Sequence, residues 1–572
     1  MITIDALRCR DELFSLTAAD LACYSYGMDY RQDAHHSPGS LRFARHQPAA
    51  KTFSDGTKLP MVVEPSQNHN RWYNSLFSAL FDQSESTMSR ATTAACLLAY
   101  LAISATAFAA SPSASPNMPP AESRGVTKAP PPQPINWDRV TQEATDLLSK
   151  YIQINTTNPP GNEIEAARLL REKFLSDGIP ATTWEPQHGR GIVAARLRGI
   201  GKHNKSIILL SHLDVVPADQ KEWQVPPFAG TVKDGKIWGR GAIDDKGPGV
   251  IELMAMLAIK RAGILLNRDV LFVATGDEEE GGRNGAGWFV DHEASVFSDA
   301  GYLLNEGGGI HQLSESKHKV YVVSVTEKTP LWLKLTASGP AGHASDPPAE
   351  TAVTRLIHAL DKLNEYKTPI HVIGPVQDYY HSIAQLEHGP REQLDLAKAL
   401  KDPEFQKKFL SEPSQNAQVR DTITPTVLAA SPRTNVISET AYAELDCRLL
   451  PGSDPKKVVN DIKKALGDDA IKVDVLLNFQ PISSPSRSPL MNAIESLARV
   501  RDQASVVPSM VIGFTDSHYF RQKKIVSYGF IPIEVLPAEG KGIHGINERV
   551  GVKELADGIQ RMVQLLKIFG GQ

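Results

Sequence analysis

A chain of 572 residues is too long for one ordinary hydrophobic core, so two domains with extensions are expected. Its 41% hydrophobic and 22% charged residues describe a globular protein, and a formal net charge of -4 offers no basic surface for nucleic acid or another polyanion. The four cysteines, Cys9, Cys23, Cys96 and Cys447, contain no C-x-x-C pair and support neither a cysteine zinc site nor a disulfide framework.

Residues 1–87 mix Cys, His, Arg and Tyr without sustained helical or strand periodicity, and read as upstream sequence outside the natural protein. Met88-Ser-Arg90 then opens a charge-free run of twenty residues, ATTAACLLAYLAISATAFAA, followed by SPSASPNMPPAESRGVTKAPPPQP. A short basic start, an apolar stretch and the small-x-small site Ala107-Phe108-Ala109 are the parts export needs. They place a signal peptide over 88–110, with Met88 as the start, and a Pro/Ser-rich linker over 111–136. The expectation is an exported, periplasmic or secreted protein with no stable membrane insertion after cleavage. The competing reading is a membrane anchor through residues 91–110, since twenty apolar residues can span a bilayer. After cleavage Cys447 would stand alone, without a disulfide partner.

From Trp137 onward helix and strand patterns alternate, as in an α/β domain. Val140, Ala144, Leu147, Leu148 and Tyr151 share one helical face, and NTTNPPGNE breaks that helix before a second one ending near Gly178. Strands are expected at 191–198, 206–212 and 268–275, with a buried helix over 247–263 between the last two. Beyond Glu327 come LWLKLTASG, a helix near 350–366, YAELDCRLL, DPKKVVNDIKKAL and IKVDVLLNF, the pattern of a smaller α+β unit over 328–486. Charged, helical residues near 370–425 read as an insertion within it. Residues 487–570 return to strand and helix patterns that complete a first domain begun at 137–327.

Five acidic or histidine clusters fall at the ends of these elements: SHLDVVPAD (211–219), WGRGAIDDKG (238–247), TGDEEEGG (275–282), LNEGGG (304–309) and GIHGINE (542–548). In SHLD, residues two apart in extended backbone face one side, so His212 and Asp214 project together. An isolated H-x-D is more often a hydrogen-bonded surface pair, acidic runs are usually solvated, and GGRNGAG lacks the G-K-[ST] ending of a phosphate loop. In an open α/β sheet, however, loops converge beyond the strand ends, where all five clusters could meet.

Taken in order, H-x-D, G-R-G-A-x-D-D-K-G, D-E-E-x-G-G, E-G-G and H-G-x-N-E resemble the dinuclear zinc hydrolases that include aminoacylase, succinyl-diaminopimelate desuccinylase, glutamate carboxypeptidase and carboxypeptidase S. The resemblance covers about residues 137–570, and the wording of SHLDVVPAD, VPPFAG and GRGAIDDKG is nearest to the carboxypeptidase S branch. It implies a zinc-binding α/β catalytic domain interrupted by a ferredoxin-like α+β lid that also serves dimerisation, hence a homodimer. Carried over by motif, His212 and Glu306 would hold one Zn2+, Glu279 and His544 the other, and Asp244 both, with Co2+ or Mn2+ as in vitro substitutes. Histidine nitrogen and carboxylate oxygen suit zinc, and a shared carboxylate suits two ions. Asp214 would accept the second ring N–H of His212 and fix its tautomer.

Glu278 takes the general-base place, accepting a proton from the attacking water and delivering it to the leaving amine. A frame shifted by one, with Glu279 as base and Glu280 as ligand, fits the two glycines less well. The resemblance further implies a cis peptide after Asp244. On the lid, GPAGHAS, RTNV and DCRLLP would supply His343 as donor to the tetrahedral oxyanion, and Asn435 and Arg448 as contacts to the substrate carbonyl or carboxylate. Read without the resemblance, His343 sits in a turn and Arg448 pairs with Asp446. GFTDSHYFR resembles the family's loop near the substrate terminus, which would place Thr515 and Asp516 there, without a role.

The implied substrate is a small peptide or N-acyl amino acid cut beside a free carboxylate. A carboxypeptidase and an aminoacylase-like amidase would use the same residues, so both stay open. A non-catalytic metal- or peptide-binding relative is the rival of another class, although such a relative would be expected to lack Glu278 or a ligand. An aminopeptidase fits Arg448 less well, because that residue suggests an anionic substrate end.

Overall fold

The structure, a computed structural model, describes residues 131–571 apart from 202–203, 314–315, 388 and 390. The expected export segment and the residues before it lie outside the described residues. Among the described residues, no helix is long and apolar enough to cross a membrane.

Helix α1 (Trp137–Gln153) starts at Asn136, whose side chain accepts from Arg139 N at 3.0 Å, and buries the expected stripe of Val140, Ala144, Leu147, Leu148 and Tyr151. Next come α2 (Glu163–Ser176), β1 (Ala181–Trp184), β2 (Ile192–Leu197), β3 (Ser206–His212), α3 (Lys246–Arg261), β4 (Val270–Thr275), β5 (Ala300–Asn305) and β6 (Lys319–Glu327). Every residue of β3 and β4 is buried, the continuous apolar pattern of strands covered on both faces.

Thr329 starts a second unit with β7 (Thr329–Ser338), α4 (Ala352–Glu365), α5 (Gly374–Glu387), β8 (Thr422–Ala429), β9 (Thr440–Leu449), α6 (Pro455–Leu466) and β10 (Lys472–Asn478). The chain then returns through α7 (Pro489–Leu497), β11 (Ser505–Val511), α8 (Ser517–Gln522), β12 (Val526–Gly529) and α9 (Val552–Gly570).

The large sheet runs β1-β2-β4-β3-β5-β12-β6-β11, with Gly309–Gln312 as a ninth strand beside β6. Strands β3, β4, β5 and β12 are parallel, His212 lying opposite Thr275 and Gly529 opposite Asn305, so all four end at one edge. Helices α1, α3 and α9 pack on one face, and α3 is buried over nearly its whole length.

The second unit places its strands in the order β8-β9-β7-β10, all antiparallel, with α4 and α6 packed on Leu331, Leu333, Leu335 and Cys447 in a core of their own. Without the insertion its chain order is β-α-β-β-α-β, a ferredoxin-like topology. The expected insertion near 370–425 differs in two respects. Its helical part ends by Gln418, because 422–425 already belong to β8. Its apolar residues Ile373, Val376, Tyr380 and Phe409 also enclose Met510 of β11, so the insertion packs against the edge of the large sheet as well. One buried polar anchor spans the junction between the units: Lys328 donates to Ala417 O, Arg420 O and Thr422 Oγ1. Beside it, within the first unit, Arg521 of α8 pairs with Glu327 at 2.8 Å, both buried.

Candidate metal centre and active site

The shared edge of β3, β4 and β5 carries the acidic clusters. His212, the last residue of β3, is buried, and its Nε2 lies 2.9 Å from Asp244 Oδ1 and 3.9 Å from Glu306 Oε1, just past β5. His544 Nε2 lies 3.1 Å from Asp244 Oδ2 and 3.2 Å from Glu279 Oε2. Two groups that could each hold a metal ion thus form, His212-Asp244-Glu306 and Asp244-Glu279-His544, with one oxygen of Asp244 turned to each.

The chemistry of this donor set fits two divalent cations. Imidazole nitrogens and carboxylate oxygens are hard-to-borderline donors, and the buried Oε1 atoms of Glu278 and Glu279 have no hydrogen-bond partner. Burial, with Asp244, Glu279 and Asp516 close by, pushes the Glu306 carboxyl up to about 8. Burial and the charge of Glu306 likewise raise Glu278 well above the usual carboxylate range. Hydrogen bonds to Asp244 and Glu279 raise His544 to about 10. So many carboxylates sharing a buried space ionise together only when cations neutralise them.

The loops that carry these groups are braced by other polar residues. The Asp244–Asp245 peptide is cis. Lys246, buried at the start of α3, donates to Tyr151 O and Ile154 O at the end of α1 and anchors the D-D-K-G turn there. Glu548, fully buried, accepts from Ile243 N (2.8 Å), Asp244 N (3.0 Å), Gly241 N (3.0 Å) and Arg240 Nη1 (2.7 Å). Sequence reasoning stopped at His544 and missed this residue. The signal was present in G-I-H-G-I-N-E, where the final acid faces the arginine of G-R-G-A. His544 itself holds a left-handed φ of 54°, as strained residues at functional loops often do.

Asp214 differs from expectation in the atom it uses. His212 Nδ1 lies 3.0 Å from the Asp214 main-chain oxygen, whereas the nearest carboxylate oxygen is 3.7 Å away. The backbone turns at the end of β3 and brings its carbonyl to the ring. The carboxylate instead accepts from Glu278 N (3.0 Å), Glu279 N (3.1 Å) and Asn158 Nδ2 (2.8 Å), so Asp214 holds the acid loop. The contact of Glu279 with His544 favours the unshifted frame; Glu280 is less buried than Glu278.

The lid residues are not brought into this cluster. His343 is exposed on a two-residue strand paired with Val436–Ile437, and its Nδ1 meets Ser345 Oγ at 2.7 Å. Asn435 is exposed. Arg448, within β9, pairs with Asp446 at 2.8 Å, the reading available without the family. Thr515 and Asp516 are buried: Thr515 donates to Glu327 at the junction of the two units, and Asp516 accepts from Thr275 Oγ1 at 2.6 Å at the end of β4.

A parallel sheet edge with two histidine-carboxylate groups sharing one aspartate, beside a second α+β unit, defines a metal-dependent hydrolase. Residues 208–568 match the peptidase family M20/M25/M40, and the chain belongs to that family. It is 31% identical to the N-fatty-acyl-amino acid synthase/hydrolase PM20D1 of Xenopus tropicalis over 63% of this chain and 72% of that protein. It is 27% identical to the probable carboxypeptidase S-like 2 of Dictyostelium discoideum over 65% and 73%. The M20 family metallo-carboxypeptidase Sso-CP2 of Sulfolobus solfataricus shares the fold with a TM-score of 0.60 at 20% identity, covering 76% of this chain and all of that one. The protein is therefore an M20 metallopeptidase or amidohydrolase.

Proposed function

We propose that this site is a two-zinc centre that cleaves an amide bond next to a free carboxylate, with N-acyl amino acids ahead of dipeptides as substrates. The division of Asp244 between two ligand groups carries the two-metal part. The similarity to proteins named N-fatty-acyl-amino acid synthase/hydrolase supports the substrate class, and the carboxypeptidase S-like relative keeps the peptide reading beside it. His212 and Glu306 would hold one ion, Glu279 and His544 the other, and Asp244 both. Bound zinc supplies Lewis acidity that polarises the scissile carbonyl and acidifies water.

The chain does the rest. Glu278 takes a proton from the attacking water and gives it to the leaving amine, so no net proton is consumed at the residue. Asp214 fixes where Glu278 stands through its main-chain N–H. On the lid, His343 donates to the oxyanion, Asn435 meets the substrate carbonyl or carboxylate, and Arg448 exchanges Asp446 for the substrate carboxylate.

Export also belongs to this proposal, supported by the charge-free run after Arg90, and an amino terminus near Ala110 on the native protein would bear it out. The reaction is tested with purified protein on N-acyl amino acids, the same compounds with the carboxylate amidated, and dipeptides. Hydrolysis confined to free carboxylates, abolished by a chelator and restored by zinc, is expected. Equal hydrolysis of the amidated set would sink the carboxylate requirement.

A further inference from the structure

The segment N-T-T-N-P-P-G-N-E, residues 155–163, reads in sequence only as a helix breaker, yet it reaches the acid loop. Asn158 is buried between two charged groups. Its Oδ1 accepts from Arg190 Nη2 at 2.8 Å, and its Nδ2 donates to Asp214 Oδ2 at 2.8 Å. Arginine only donates and a carboxylate only accepts, so this orientation of the amide is the one that satisfies both neighbours. Asp214 passes the constraint on, accepting from the main-chain N–H groups of Glu278 and Glu279.

Arg190 grips the same loop from its other end. Its Nη1 donates to the buried Glu163 at 2.6 Å, and its Nη2 lies 3.4 Å from Asp277 Oδ1. Asp277 immediately precedes Glu278, has a left-handed φ of 73°, and accepts from Asn284 N at 2.8 Å. The packing leaves no slack: a Cβ on Gly161 would run into the Arg190 guanidinium, and one on Gly276 would come within 2.9 Å of Glu163.

We infer that Asn158 and Arg190 are positioning residues for Glu278, acting through Asp214 and Asp277; the inference rests on the reading of Glu278 as base. A neutral amide, with an acceptor at one end and a donor at the other, relays an arginine to an aspartate with a bond on each side. A loop held at both ends keeps the Glu278 carboxylate at one distance from the water it deprotonates, and small displacements of such groups lower turnover strongly.

The test is a double-mutant cycle on zinc-loaded, full-length protein with an N-acyl amino acid substrate, following kcat, KM, zinc per chain and Tm. Asn158→Ala should lower kcat about 10- to 100-fold, as loss of an outer hydrogen-bond partner does, with zinc content and KM unchanged. Arg190→Lys keeps a positive charge beside Glu163 and Asp277 but loses the planar fork, and should show a smaller loss in the same direction. In a Glu278→Asp background, Asn158→Ala should lower kcat by less than about threefold further, because residues acting through one another are not additive. A full Asn158→Ala loss in that background, a fall in kcat matched by lost zinc, or an unchanged kcat would each overturn the inference. Should Asn158→Ala fail to fold, the same cycle with Arg190→Lys decides. Wild-type turnover in Glu278→Gln would instead remove the base assignment, an outcome visible without either positioning variant.

Discussion

At the scale of single residues, the site shows which part of a motif sequence can carry. His212, Glu279 and Glu306 sit just past buried strands whose parallel ends converge, whereas Asp244 and His544 were singled out by motif resemblance alone; the fold gathers all five into two neighbouring groups. Which atom does what was not legible. The spacing of His212 and Asp214 gave a shared direction, but only the folded turn puts a carbonyl rather than a carboxylate on the ring. Glu548 went unread because its partners, three main-chain N–H groups and the Arg240 guanidinium, lie hundreds of residues away in sequence. Its four acceptor bonds fix the loop that aims Asp244 at both ligand groups. Each Glu548 oxygen accepts two of those bonds, so in Glu548→Gln the new amide NH2 faces two donors whichever way it is turned, and two bonds are lost. Zinc affinity should fall about 10- to 100-fold in metal titrations. By contrast Glu278→Gln, which is no ligand, should keep its zinc and lose about 10²- to 10⁴-fold in kcat. Equal metal loss in both variants would mean that Glu278 holds an ion.

At the scale of elements, α1, α3, β3, β9, α6 and β10 follow from their apolar periodicity, and the structure puts them close to where the pattern does. The mixed character of the large sheet did not follow, since β2 alone in its half runs against its neighbours, antiparallel to both β1 and β4, a matter of tertiary pairing alone. Nor did Lys328, one lysine in a polar stretch, announce that it is buried between the units. Burial pushes its amine down to about 7. The sign of the consequence is fixed by linkage. Below about 7 the lysine is protonated whether folded or unfolded, and the burial penalty is fully present. Between there and the ordinary lysine value near 10.5 the unfolded chain binds a proton that the folded one does not, so raising the pH favours folding. Urea midpoints of the wild type measured against Lys328→Met should therefore shift in favour of the wild type from pH 7 to pH 9.5. A difference that stays flat would show Lys328 charged throughout.

At the scale of the whole molecule, the proposed oxyanion role of His343 must be squared with where the fold puts that residue. His343 is exposed, bonded through its ring to Ser345, and carried on a two-residue strand next to the equally exposed Asn435. An oxyanion donor must come within about 3 Å of the developing charge. Lys328 ties the start of the second unit to its insertion by three hydrogen bonds, and the proposed donation from a second copy of the chain leaves those bonds in place. His343→Ala should then lower kcat by about 100-fold or more with zinc content unchanged. Mixing this variant with Glu278→Gln, each dead alone, should restore part of the activity once subunits exchange, because one of the two composite sites then has both an intact base and an intact donor. Absence of recovery, with exchange proven by mass-tagged subunits, would confine His343 to its own chain and require the lid to close on its own site. An unimpaired His343→Ala enzyme would remove the residue from the mechanism.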